Sequence, residues 1–208
     1  MTILPLLVAA GLSTSAQAGD DGVGIRLKVN SDLFQVRTTE AYYDGEAVEN
    51  SDTKTTTMGL YNGLPRFEAS YIITPNIEAG LIVGYSSTKP EAAGEEGDQT
   101  TFSRLGVHAA YNLKLGDCLR GYVQPMLIMG NVTTGKGEDY QSSLKSTMYG
   151  ADLGLRIRLV KGATFDPGFE FLTGSAKVVD KDGEPVPDDN ASTKMSQYGL
   201  KAGISVKF

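Results

Sequence analysis

From Tyr198 to Phe208 the chain alternates without a break: Tyr198, Leu200, Ala202, Ile204, Val206 and Phe208 are apolar, and Gly199, Lys201, Gly203, Ser205 and Lys207 lie between them. A period of two puts the two sets on opposite faces of a β-strand. Seven further segments read as strands: 23–36, 64–73, 77–85, 102–113, 119–129, 148–159 and 164–174. In 77–85, 102–113 and 148–159 the apolar set falls on odd numbers. Segments 23–36 and 64–73 also alternate, but their phase slips after Asn30 and before Phe67. Those slips predict bulges, or strand running beyond the buried zone. No stretch shows the period of an amphipathic helix.

The connections between these segments are unequal in a regular order. Three are tight, at 74–76, 114–118 and 160–163, and four are long and hydrophilic, at about 38–57, 86–100, 131–146 and 176–193. Short and long connections alternate, which predicts an antiparallel up-and-down meander with its short turns at one end. Eight strands with this loop asymmetry are what an all-β, eight-stranded antiparallel up-and-down transmembrane β-barrel shows.

Alternation alone leaves open whether the apolar face points inward, as in a soluble lipocalin-like barrel, or outward into lipid. The aromatic residues favour lipid. Tyr71, Tyr111 and Phe208 fall near short turns, and Tyr85, Tyr149 and Tyr198 near long loops, so they predict two interfacial girdles with few aromatics between them. At a rise of roughly 2.4 Å per tilted residue, Tyr198 to Phe208 spans about 24 Å, close to the ~25 Å apolar band of such barrels. The opposite face carries both signs of charge. A lumen ion network is expected from Arg66, Glu68, Glu78, Arg104, His108, Arg120, Asp152, Arg156, Arg158, Asp166, Glu170 and Lys201, with Arg26 on the same face. Across the 160–163 turn, either register sets Asp166 opposite Arg156 or Arg158. Lys207 is expected in water at the turn end. Pro65, Pro125 and Pro167 each remove a ladder donor, and mid-strand Pro125 is expected to sit in a local bulge.

Composition narrows the class further. The chain has 208 residues, suited to one domain, and its longest strongly apolar run, 3–12, is far short of the roughly 18 residues of a membrane helix. That run, followed by Ala16, Gln17 and Ala18, predicts a signal peptide over 1–18 cleaved before Gly19, which leaves the barrel at 19–208. The usual positive n-region is missing. A net charge of −6 gives no footprint for nucleic acid, and Cys118, the only cysteine, permits no intrachain disulfide.

With the terminal aromatic strand, the signal-like N-terminus and the eight-strand meander in place, the chain resembles the small outer-membrane β-barrels of the OmpA/OmpX type. The resemblance implies location in the bacterial outer membrane, contact with outer-membrane lipid and lipopolysaccharide, and reading of the last strand by the outer-membrane assembly machinery.

Candidate chemistry is sparse. His108 is the only histidine, and catalysis there would need a nucleophile and an orienting partner. Asp180, Asp182 and Glu184 beside Gly183 depart from a calcium loop, and 135–139 lacks phosphate-loop spacing. No catalytic, cofactor-binding or metal site is expected. The expected function is a non-enzymatic structural or surface-interaction role, exercised through long acidic extracellular loops above a charge-filled lumen. The alternatives are a small porin for ions or small apolar solutes, and a soluble periplasmic lipocalin-like ligand-binding barrel.

Overall fold

A computed structural model describes residues 23–44, 46–58, 66–88, 91–92, 95–96, 99–134, 142–179 and 191–208. The expected signal peptide, Pro65 and the whole acidic 180–190 stretch lie outside these residues. The elements are β1 (Gly24–Tyr43), β2 (Glu46–Ala47), β3 (Thr53–Met58), β4 (Arg66–Thr74), β5 (Ile77–Thr88), β6 (Glu91–Ala92), β7 (Glu95–Glu96), β8 (Thr100–Lys114), β9 (Leu119–Thr134), β10 (Ser142–Val160), β11 (Ala163–Val179) and β12 (Ser192–Lys207). All principal pairings are antiparallel between neighbours in sequence, and β12 returns to pair with β1. The sheet thus closes into a ring with eight walls, of which β3 and β4 together form one.

The ring is uneven at that wall. Phe34 of β1 pairs with Met58 of β3, while Asn30 pairs with Arg66 of β4. Closure is continuous on the other side, from Arg26↔Lys207 to Tyr42↔Ser192. The phase slip in the first strand is a register shift between Asp32 and Phe34. One extra residue there switches the inward set from even to odd numbers.

The strands run further toward the long-loop end than their apolar alternation does. The 38–57 stretch, expected to be a loop, is largely β1 continuing to Tyr43 and β3 returning along it. Lys194, in this extension, sits 3.9 Å above the Tyr42 ring centroid. Hydrogen bonding to Tyr42 raises its pKa.

Pro125 needs no bulge. The β9–β10 register runs through Ala151↔Pro125 unbroken, and the β8–β9 register is the same on either side, at His108↔Met126 and Tyr111↔Val123. What the proline removes is a short piece of the β8 ladder. Pro167 repeats the device. It pairs with Ala202 of β12, while the β10 ladder lapses between Gly154↔Gly168 and Ile157↔Phe165. Each proline leaves one neighbour fully paired, so its missing N–H interrupts only one seam.

Candidate functional site

Burial settles which face is inside. Leu155 is 40% exposed, whereas its neighbour Arg156 is 3% and Lys201 1% exposed. The outer surface carries Leu81, Leu105, Val107, Leu153, Phe169 and Leu200, all exposed. This is the inverse of a soluble lipocalin-like barrel, in which ions face water and apolar side chains fill the centre. Tyr71, Tyr85, Tyr111, Tyr149, Tyr198 and Phe208 are all exposed on the outer surface. Aromatics are not confined to those two tiers, however, because Phe67 and Phe169 stand exposed between them. A phenyl ring has no polar handle that would hold it at an interface.

Inside, the buried cations Arg26, Lys28, Arg66, Arg156 and Lys201 meet the buried carboxylates Glu68, Glu78, Asp152, Asp166 and Glu170. Toward the turns, Arg156 donates to Glu78 at 2.5 Å and to Asn112 at 2.6 Å. Arg26 lies 3.3 Å from Glu78 and donates to Ser205 at 3.1 Å. Arg156 lies 3.8 Å from Asp166, while the β10–β11 register sets Arg158 opposite Thr164. Toward the loops, Arg66 pairs with Glu170 and Lys201 with Asp152. Glu68 there accepts from Asn30 at 2.5 Å and from Gln124 at 3.0 Å. Lys28 joins the two groups, 3.8 Å from Glu68 and 4.0 Å from Asp166.

His108 is also buried, sharing a 2.9 Å hydrogen bond with Ser70. Its Nδ1 has no hydrogen-bond partner among the described residues, so no carboxylate orients the ring from that side. Arg104 is half-buried nearer the loop end. Arg120 and Arg158 are half-buried at the turn-end mouth, where Arg120 donates to the Pro75 carbonyl at 2.9 Å. Lys207, expected in water, is only 9% exposed and points into that mouth, because it lies in phase with the inward Lys201 and Ser205.

Three features were missed in the sequence. Lys28 is in phase with Arg26 and Asn30, so the signal was present. Tyr122 is buried, its ring centroid 4.9 Å from the Lys28 ammonium and 5.0 Å from the Arg156 guanidinium. It lies over Gly154 and Gly168, where a Cβ would come within 2.6 Å and 2.7 Å of the Tyr122 hydroxyl. The third is an apolar lining on the loop side of the ions, built from Ile82, Met126, Ile128, Met148, Leu172 and Met195. Its signal was the run "MLIM" at 126–129, apolar on both faces at once.

A closed up-and-down ring with lipid-compatible sides and ions at its centre is the fold of the small outer-membrane β-barrels, and solved structures place the chain in that fold class. The outer-membrane protein AlkL, determined in lipid bilayers, matches with a TM-score of 0.58 at 16% identity, over 93% of this chain and 94% of that one. Neisserial surface protein A matches at 0.55 and 15% identity, over 90% and 99%. The outer-membrane protein OprG from Pseudomonas aeruginosa matches at 0.50 and 10% identity, over 89% and 96%. No protein-family model and no curated protein sequence matches the chain.

Proposed function

We propose that this protein is an integral bacterial outer-membrane barrel, short turns in the periplasm and long loops outside. Its lumen is closed by its own ion pairs. The role is non-enzymatic: the barrel carries acidic loops that meet lipopolysaccharide, ions or a partner at the cell surface, and its last strand is what the assembly machinery engages. The observation that carries the reading is the inverted burial, with Lys201 and Asp152 enclosed while Leu155 and Leu153 face outward. An eight-stranded barrel is only wide enough for its own side chains, and here those chains bridge it from wall to wall.

Planar-bilayer recording tests the closed lumen. The wild-type protein should give no steady channel. Arg156→Ala, with heat-modifiable gel migration unchanged, should raise leakage, because it removes the donor shared by Glu78 and Asn112. A steady wild-type conductance would overturn closure and favour the second reading, a small porin. Its support is the lining of Met126, Met148, Leu172 and Met195, which offers apolar solutes a surface at the loop end.

A further inference from the structure

On the outside of the ring, the apolar surface of β10, β11, β12 and β1 ends toward the loops on the register partners Ala151, Phe171, Tyr198 and Val36. Polar rows follow. The next outward row is Tyr149, Thr173, Ser196 and Thr38, and the one beyond it is Thr147, Ser175, Lys194 and Glu40. A groove of about 470 Å³ is lined by both rows. One step further out, Lys145 and Lys177 stand opposite each other. We propose that this groove binds the phosphorylated sugar headgroup of an outer-leaflet glycolipid, with Lys177 and Lys194 on its phosphates and the hydroxyl rows and Tyr149 ring on its sugars. The inference rests on the outer-membrane reading and goes beyond it: the barrel wall, rather than the acidic loops, holds the lipid.

Position, charge and chemistry agree on that occupant. The groove begins where the hydrocarbon-compatible row stops, at the tier of Tyr149 and Tyr198, so it lies at headgroup level. The chain carries 25 acidic against 19 basic residues, yet at 142–148, 173–179 and 192–197 the charged residues are Lys145, Lys177 and Lys194, with no carboxylate. Like charges opposite each other, as Lys145 and Lys177 are, ordinarily weaken a sheet. Phosphate is the natural complement of such a face. The one acid lining the groove, Glu40, accepts from the Tyr42 hydroxyl at 2.6 Å, and the Tyr42 ring lies 3.9 Å from the Lys194 ammonium, which fixes that cation at the groove's edge. Serine and threonine hydroxyls both donate and accept, as sugar hydroxyls do. Small-molecule sites run to roughly 300–1,000 Å³, so the groove has room for a sugar. A phospholipid headgroup matches the lysines but offers little to the hydroxyl rows between them.

The test uses the full protein folded in amine-oxide micelles with EDTA present, so that no divalent cation bridges a lipid to the acidic loops. Bisphosphorylated lipid A is titrated while NMR follows the backbone amides. Saturable shifts are expected at 173–177 and 194–196. Lys177→Gln combined with Lys194→Gln should weaken binding about tenfold or more. Both lysines are exposed, and unchanged heat-modifiable migration reports that the variant still folds. Lys114→Gln, exposed at the turn end, should leave binding as it is. Stripping the phosphates from the lipid should weaken binding to the wild type and change little further in the double variant, and phosphatidylglycerol at equal phosphate should bind more weakly. Equal affinity for phosphatidylglycerol, a double variant that binds as well as the wild type, shifts spread evenly round the ring, or binding that EDTA abolishes would each overturn the site. A chain that stays folded and soluble without detergent overturns the outer-membrane reading instead, so the two failures are distinguishable.

Discussion

Lys201 is fully enclosed and pairs with Asp152, itself 0% exposed. Removing one member of a buried pair strands the other charge, so Lys201→Met should cost about 3–5 kcal/mol in urea unfolding from lipid vesicles. Adding Asp152→Leu should recover most of that loss, because both charges then leave together. The Tyr122 hydroxyl presents the opposite case: it is buried with no hydrogen-bond partner among the described residues. Tyr122→Phe should therefore keep or slightly raise stability in the same assay. At this scale the sequence exposed facing but not partners. Phase alone placed Glu78, Asp152 and Arg156 inward. That Arg66 reaches Glu170 across 104 positions depends on strand tilt and stagger, which no local pattern encodes.

The strands themselves were legible where lipid would cover one side and illegible where water would wet both. Their alternation marked the elements near the turns, and the short connections fell where expected, at 75–76, 115–118 and 161–162. Beyond the band, β1, β9, β10 and β11 continue as polar strand, and polar strand has no period that distinguishes it from loop. The prolines were misjudged for a related reason. Ladder bonds alternate between the two neighbours of a strand, so one lost N–H interrupts one seam without forcing a bulge. The glycines beneath Tyr122 give an element-scale test. In Gly154→Ala the new Cβ would meet both the Pro167 carbonyl, at 2.5 Å, and the tyrosine hydroxyl, at 2.6 Å. Overpacking of this kind should cost about 1–3 kcal/mol, and Tyr122→Ala in the same chain should relieve only the side-chain share of it.

For the molecule as a whole, orientation in the membrane predicts a depth profile. Along β10, Tyr149 lies in the loop-side aromatic tier and Leu159 near the turn, with Leu153 between them, and all three are exposed. Leu153→Arg should lower stability in vesicles by about 2–4 kcal/mol, and Leu159→Arg by about 0–1. Equal costs at both positions would mean that no hydrocarbon slab surrounds the ring. The overall architecture was the most legible level, because strand number, turn asymmetry and facing all follow from period and spacing. The apolar lining above the ions was not, since a face that changes character halfway along a strand defeats any reading that gives each strand one inner chemistry. Closure has a further consequence for biogenesis. Ile25 and Phe208 exchange backbone hydrogen bonds of 3.2 Å and 2.9 Å, so the edge of β1 stays open until β12 is in place. An uncovered β1 edge presents unpaired N–H and C=O groups to any foreign strand, so the ring protects that edge only once β12 has docked.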